Sequence, residues 1–346
     1  MSTSPAAHVD ITVAVAPADA PDATLMTAAL PLRFPEVIVE RADPQESRLI
    51  RRSVIETKQQ LAVQRGLLFD ETRGLKASAE KNRLYKGIQD CKAEEDFLEQ
   101  HLQTRFMPGH GPQQFLSPRV FFVSALFRVR RSSDERTAHL KFDFPTIAGR
   151  PPIRYEGPEL GQSDGRVFLA LLHMMRDVQV GTAASVQPAE LCMTVYGRYD
   201  GPARKMLFEH IRRLQHAVII FDAFSVQLCG RFDYPKTGPW TVALDRQLTE
   251  LFLASPEVWL RMQPRLSLPE GLATWLYSYI ESQTRLIPTL LATLQALCGS
   301  KASPKAFLNR MRDALGHLSD TGVIDAGWSV KKGLVRWMKA VSKRDR

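Results

Sequence analysis

The sequence has little of what marks several common classes of protein. Its four cysteines are far apart, and no C-x-x-C pair or zinc-finger histidine spacing occurs, which argues against a structural zinc site. No window approaches the ~18 apolar residues of a membrane helix. No lysine or arginine precedes Arg33, whereas signal and transit peptides need early cations. We therefore expect a cytoplasmic protein with buried, reduced thiols at Cys91, Cys192, Cys229 and Cys298.

Motifs for catalysis are equally scarce. No G-x-x-x-x-G-K-[ST] phosphate loop is present, so nothing supports ATPase chemistry. "GQSDG" at 161–165 fits the nucleophile-elbow pattern, but "RYEGPEL" before it is a poor buried strand, and helix capping by Asp164 is the simpler interpretation. Tyr196 and Tyr199 could act as nicking tyrosines, but the histidine cluster that such chemistry needs is missing. We predict that the protein is not an enzyme and uses no cofactor or metal.

Positive charge is in excess and is unevenly distributed. The formal net charge is +9 and the sequence pI about 9.5. The last 46 residues hold 11 lysines and arginines against four acidic residues. This balance favours a polyanionic partner, which means nucleic acid or a membrane surface.

Composition divides the chain into four parts. Residues 1–45 are rich in Ala, Pro, Asp and Thr and are predicted to be mostly disordered. Residues 46–110 have a charged, glutamine-rich helical pattern, with too few apolar positions to form a core of their own. After the Pro/Gly stretch "FMPGHGPQQFLSP" we predict two folded domains, at 111–236 and 237–346.

Both domains show the same order of predicted elements. A helix (164–178), a short helix ended by Gly197 and a basic helix (202–216) precede a hairpin. An amphipathic helix (267–284), a short helix ended by Gly299 and a basic helix (303–322) precede another hairpin. The fold class predicted is α+β, mainly helical, with two tandem winged-helix domains behind a helical and disordered N-terminal extension. The strand that leaves the first basic helix is expected to form the first wing.

Each basic helix has one apolar stripe opposite a polar face. Ala203, Leu207, Ile211 and Leu214 form the first stripe, and Phe307, Met311, Ala314 and Leu318 the second. Arginine and asparagine can read guanine and adenine edges in the major groove, and lysines in the "PKTG" and "VKKG" turns would meet phosphates. The candidate DNA-binding residues are Tyr199, Arg204, Lys205, Arg212, Lys236, Lys305, Asn309, Arg312, Lys331 and Lys332. The alternative for either helix alone is an ordinary solvated surface.

At these residues the sequence resembles TrfA-type plasmid replication initiators, which are iteron-binding proteins built from two winged helices. The matching stretches include "IRYEGPEL" (153–160), "GRYDGPARKMLFEHIRRLQ" (197–215), "LSLPEGLATWLYSYIESQ" (266–283) and "FLNRMRDALGHLSDTGVIDAGW", and their order is preserved over about 115–330. The resemblance implies binding to tandem repeats (iterons) in the double-stranded DNA of an origin, and opening of an adjacent AT-rich segment. It also implies recruitment of the host initiator and the replicative helicase, and a homodimer in equilibrium with a DNA-bound monomer.

Upstream, "TKQQLAVQRGLLFD" resembles the family's segment for the bacterial sliding clamp. Gln64, Leu67 and Phe69 fit Q-x-x-L-x-F, in which glutamine would lie at a pocket rim while Leu and Phe fill an apolar cleft. The pair Arg65-Gly66 departs from the usual Leu-Ser/Asp. The alternative is that this helix end docks on its own domain.

Two functions therefore remain open. The first is a plasmid replication initiator, and the second is a tandem winged-helix transcriptional regulator. The clamp-like segment distinguishes them, because a repressor has no use for it.

Overall fold

The computed structural model describes residues 44–73, 75, 79–109, 111–131, 134–144, 153–221 and 224–340. The segment 1–45 that the sequence predicts to be disordered lies outside these ranges, apart from its last two residues. The described elements belong to one compact unit of the α+β class, with ten α-helices and fourteen short strands. The predicted fold class is thus confirmed.

A helical hairpin opens the described chain. Helix α1 spans Pro44–Thr72 and α2 spans Ala79–Arg105. Val54 and Leu98 are buried, while most other positions of the pair are exposed or half-buried, as the sparse apolar pattern requires. Arg51 attaches the hairpin to the rest of the molecule, since its guanidinium donates to the carbonyls of Arg176 at 2.7 Å and Met107 at 3.3 Å.

Five short strands follow the helical hairpin in the chain. Strand β1 runs antiparallel to a strand from the second half of the chain, β2 pairs in parallel with β5, and β3 and β4 belong to a separate four-stranded sheet. A 3-10 turn at Arg119–Phe121 separates the first two strands. The bounds are β1 Gln114–Pro118, β2 Phe127–Arg128, β3 Leu140–Asp143, β4 Arg154–Gly157 and β5 Leu160–Gly161.

The first of two helix-and-sheet units follows, and because its elements have the order expected of a winged helix we call it the first winged-helix unit. Three helices are completed by a three-stranded sheet of order β6-β10-β9, in which β9 and β10 form the wing. An extra hairpin, β7–β8, is inserted between the third helix and the wing. The elements are α3 Gln162–Met174, β6 Ala184–Val186, α4 Pro188–Tyr196, α5 Gly201–Gln215, β7 Val218–Ile220, β8 Ser225–Gln227, β9 Arg231–Asp233 and β10 Trp240–Ala243.

One expectation about this unit is wrong. The strand leaving α5 does not form the wing, because β7 pairs with β4 and β8 and completes the sheet β3-β4-β7-β8. Ile219 and Val226 are buried in the first core, so burial favours this sheet over an exposed wing. Strands β9 and β10 form the wing instead.

Three elements that the sequence patterns did not reveal connect the two halves. They are α6 Leu248–Ala254, β11 Glu257–Arg261 and α7 Met262–Ser267. Strand β11 is the partner of β1, in a register that sets Phe115 opposite Leu260. The pairing joins the first half of the chain to the second.

The second winged-helix unit repeats the order of the first without the inserted hairpin. Its sheet has the order β12-β14-β13, which corresponds strand for strand to β6-β10-β9. The elements are α8 Leu272–Glu281, β12 Thr289–Leu290, α9 Leu291–Leu297, α10 Pro304–Asp320, β13 Ser329–Lys331 and β14 Leu334–Arg336.

Helix α8 differs from its prediction in two respects. It begins at Leu272 instead of Ser267, since Ser267 ends α7 and Gly271 has φ 118° at the helix start. It is also not amphipathic in its surroundings, because every residue from Leu272 to Ile280 is buried. Packing from all sides explains why its serine and threonine hydroxyls bond backbone carbonyls, as Ser278 does to Thr274 at 3.1 Å and Thr274 to Pro269 at 2.8 Å.

Two hydrophobic cores lie in these units. The change from the first core to the second comes later in the chain than the predicted domain boundary at 236/237. That boundary falls in the turn between β9 and β10 of the first wing. The first core continues to Phe252, and the second takes up Val258 onward together with Phe115, Phe122, Val129 and Leu169 from the first half of the chain. The change from one core to the other thus lies near Ser255, the residue that follows α6, while the division into domains stays a prediction. The four cysteines are buried free thiols, as the sequence predicts.

Candidate nucleic-acid interface

Helix α5 presents one face to solvent, because its opposite face packs against the hydrophobic core. Asp200 caps the helix, since its carboxylate accepts from the Ala203 N–H at 2.7 Å. The predicted stripe Ala203, Leu207, Ile211 and Leu214 is buried. Lys205 and Arg212 are exposed on the opposite side, where a helix seated in the major groove would carry its contacts.

The first wing lies along one flank of α5, and Arg204 holds it there. The Arg204 guanidinium donates to the carbonyls of Lys236 at 2.8 Å and Pro235 at 3.3 Å, and lies 5.7 Å from the centroid of a Trp240 ring. Phe208 packs edge-on against Tyr234 at 4.6 Å between ring centroids. Arg204 thus positions the wing, and its predicted contact with DNA would be made from a side chain already engaged within the protein.

Helix α10 repeats the design. Ser303 caps it through the Ala306 N–H at 3.4 Å, and Pro304 opens it, where proline fits a helix start. Phe307, Met311, Ala314 and Leu318 are buried as predicted. The outward face is exposed and carries Lys305, Asn309 and Arg312.

The second wing ends in a tight turn made of Lys332 and Gly333. Lys331 pairs with Leu334 across the hairpin, so only two residues connect the strands. Lys332 has φ 51° and Gly333 φ 73°, the two left-handed residues of a type I′ turn. Lys331 and Lys332 are both exposed at this tip.

The predicted DNA-binding residues fall into two groups, one on each unit. In the first unit Tyr199 and Lys236 are exposed before α5 and at the wing tip, beside Lys205 and Arg212. Arg212 lies over the ring of Phe208, 5.7 Å from its centroid. In the second unit the α10 residues and the wing lysines are all exposed.

A cluster of buried and half-buried charged side chains lies beneath α5. Asp164 is fully buried near the start of α3 and accepts hydrogen bonds from the Gly161 N–H at 2.7 Å, His210 Nδ1 at 2.7 Å, Arg213 Nε at 2.8 Å and Arg136 Nη1 at 2.9 Å. Burial by itself would raise the pKa of the Asp164 carboxyl. The hydrogen bond from His210 and the charges of Arg213 and Arg136 outweigh that effect and hold the pKa well below its usual range.

This cluster fixes α5 onto α3, and its capping part was predictable. Asp164 caps α3 as expected from "GQSDG", although the helix starts at Gln162. The contacts to His210 and Arg213 join residues 46 and 49 positions apart, and no local pattern indicates such a pairing.

The clamp-like residues lie near the end of α1. Leu67 and Phe69 are 61% and 52% exposed, and Gln64 is exposed as well. Leu68, which is not part of the motif, is the side chain that faces α2 at Gly87. Leu67 and Phe69 are therefore available for a partner and are not core residues.

The described ranges contain neither a membrane-spanning helix nor a cluster of metal ligands. No helix there is both long and apolar enough to cross a bilayer. No group of three or more His, Cys, Asp or Glu side chains there is arranged to hold a metal ion.

Comparison with known proteins shows a likeness in structure and none in sequence. No family model matches the chain, and no curated protein does. Among solved structures, the chain is similar to a crystal structure of domains 2 and 3 of RctB, with a TM-score of 0.48 and 15% identity, over 65% of this chain and 99% of that one.

Proposed function

We propose that this protein is a plasmid replication initiator that binds directly repeated double-stranded DNA at an origin through its two winged-helix units. The observation that carries the DNA-binding part is the repeated design of α5 and α10. Each is capped, has its apolar stripe fully buried, and turns exposed Lys, Arg or Asn side chains outward beside a wing with lysine at its tip.

The chemistry of these side chains fits duplex DNA. Helices of this diameter fit the major groove, where Arg can bond guanine and Asn adenine in bidentate fashion. The wing lysines would lie near phosphates and add affinity without sequence preference. Two units on one chain would read two segments of the same duplex, as direct repeats would offer.

The replication part of the proposal comes from the resemblance to TrfA-type initiators. Under it the protein opens the origin, recruits the host initiator, helicase and sliding clamp, works in the bacterial cytoplasm and shifts from homodimer to DNA-bound monomer. A transcriptional regulator would share the DNA surface. The exposed Leu67 and Phe69 favour the initiator, because a regulator has no evident use for an apolar clamp-like segment.

The test compares base-reading with phosphate-contacting residues on repeat and random duplexes. Wild-type affinity for the repeats should fall roughly a thousandfold or more between 50 and 200 mM salt, because many phosphate contacts release counterions. Arg212→Ala or Arg312→Ala should cost about 1–3 kcal/mol on the repeats and relax base preference at one position, whereas Lys331→Ala should weaken all sequences alike. A flat salt response, or equal losses on both DNAs for the arginine variants, would count against the proposal.

A further inference from the structure

The segment of residues 128–131, which reads Arg-Val-Arg-Arg, lies between the two basic helices. On one side it lines a groove of about 860 Å³ whose far wall is α5, at Lys205, Met206 and Glu209. On the other side it lines a groove of about 260 Å³ whose far wall is α10, at Arg310, Asp313 and His317. The two grooves share Arg130, Arg131, Glu270 and Gly271, so they are adjoining parts of one channel.

This segment is held by both winged-helix units. Arg128 lies in β2, which pairs with β5 of the first unit, and the Gln162 side chain donates to the neighbouring Phe127 carbonyl. On the opposite side the Val129 N–H donates to the Cys298 carbonyl of the second unit at 2.9 Å. Gly299 there has φ 62°, and a Cβ on it would lie 2.9 Å from Arg128 Cγ. The arginines are therefore placed by the folded backbone of both units.

The channel is strongly cationic. Within the described residues, Arg128, Arg130 and Arg131 make no ion pair with a carboxylate. The nearby Arg136 and Arg213, by contrast, each form an ion pair with the buried Asp164. The acidic side chains on the channel walls are Glu209, Glu270 and Asp313, and Glu270 accepts a hydrogen bond from Ser163. Six basic side chains border the larger groove, namely Arg128, Arg130, Arg131, Arg136, Lys205 and Arg213.

The position of residues 128–131 between α5 and α10 indicates which polyanion this segment would bind. If α5 and α10 enter successive segments of major groove, the surface between them meets the intervening stretch of sugar-phosphate backbone. Arginine forms bidentate hydrogen bonds with phosphate. We propose that residues 128–131 are a central phosphate-binding element, in which Arg130 and Arg131 contact the DNA backbone between the two major-groove contacts. This inference rests on the proposed function and adds a third contact to it.

The test uses Arg130→Gln/Arg131→Gln in the full chain. Arg128 is left intact because it packs over Phe142, 5.8 Å from the ring centroid. The matched control is Lys86→Gln/Lys92→Gln, which removes two exposed charges from α2. Each lost phosphate contact lowers the slope of log affinity against log salt by about one, so the arginine variant should lose about two and the control none.

Footprinting then locates the contact. Hydroxyl-radical protection between the two major-groove contacts should disappear in the arginine variant, while guanine N7 protection within the grooves persists. Thermal unfolding of both variants should match the wild type. If the double variant unfolds, Arg131→Gln alone should lower the slope by about one.

The outcomes separate this inference from the proposed function. If the wild type lacks salt-dependent DNA binding, both fail. If the wild type binds repeats but the arginine variants keep its slope and its central protection, only the phosphate-binding element is overturned. The segment would then be a surface for another partner, such as an acidic protein.

Discussion

Single residues in this protein divide into those that face outward and those that hold the outward face in place. Lys205 and Arg212 are exposed on α5, but the helix can offer them in a fixed direction only if its inner side is anchored. Besides the apolar stripe, that anchor is Asp164, which bonds His210 and Arg213 of the same helix. The proposed base-reading surface thus depends on a carboxylate that is itself fully buried.

Asp164→Asn should therefore destabilise the protein by about 3–5 kcal/mol at pH 7, because it leaves buried cations without their counter-charge. The pKa of the folded carboxyl is lowered, so its stabilising contribution is complete above the unfolded value near 4 and is lost as the pH falls below it. Urea unfolding should show a constant difference between wild type and variant from pH 8 to 5, shrinking below about pH 4.

The matched control is Asp143→Asn, since Asp143 pairs with Arg154 at 2.9 Å on the surface. An exposed pair of this kind contributes at most about 1 kcal/mol. A gap between wild type and Asp164→Asn that stayed the same at pH 3.5 would show that charge at Asp164 is not what stabilises the fold.

At the scale of elements, the second wing combines an unfavourable backbone conformation with a side chain that we propose contacts phosphate. Lys332 has φ 51° in the turn between β13 and β14, where asparagine or glycine is preferred. A residue with a bulky side chain pays about 1–2 kcal/mol in this region. The exposed Lys332 ammonium lies at the tip, where the proposed phosphate contact would be made.

Lys332→Asn should thus raise the free energy of unfolding by about 0.5–1 kcal/mol and, on every DNA sequence, weaken binding and lower the salt slope by about one. Lys331→Asn serves as the control, because it removes the same charge from a strand position that has no left-handed backbone to relieve. Equal stability changes in the two variants would argue against strain at Lys332. Unchanged DNA binding in both would remove the wing from the interface.

The sequence was sufficient for most of the helices, but not for α6, α7 or the pairing of distant strands. Stripes such as Phe307, Met311, Ala314 and Leu318 repeat at helical spacing, and caps such as Ser303 mark where helices begin, so α4, α5, α9 and α10 were predictable. The strands are two to five residues long, too short for a clear alternating pattern. Partners such as Phe115 and Leu260 are also too far apart in sequence to indicate each other.

The candidate site shows the same limit. The outward residues of α5 and α10 follow from helical periodicity, and the wing lysines from turn composition. The run "RVRR" at 128–131 is visible in the sequence, but no local pattern indicates where it lies in the fold. Only the pairing of β2 with β5 and the bond from Val129 to Cys298 place its arginines between the two helices.

For the molecule as a whole, the proposed DNA surface and the clamp-like segment occupy different parts of the chain. The first belongs to the winged-helix units, and the second to the exposed end of α1. In a helix, side chains two residues apart point in nearly opposite directions, so Leu67 and Phe69 cannot both enter one cleft while this part of α1 stays helical. Clamp binding therefore requires the last turns of α1 to open.

Gly66 lies within that stretch, and a Cβ added to it would meet no atom within 4 Å. Gly66→Ala should stabilise the helix by about 1 kcal/mol and weaken clamp binding about fivefold, because unwinding becomes harder. Leu67→Ala/Phe69→Ala should abolish clamp pull-down, since each side chain contributes about 1.5–3 kcal/mol when buried in a cleft. Both variants should bind repeat DNA like the wild type, and so should the control Leu49→Ala, an exposed change elsewhere on α1. Tighter clamp binding by Gly66→Ala would mean that the segment docks as a helix. Loss of folding or of DNA binding in the double variant would show that the two exposed side chains support the fold and are not a separate clamp site.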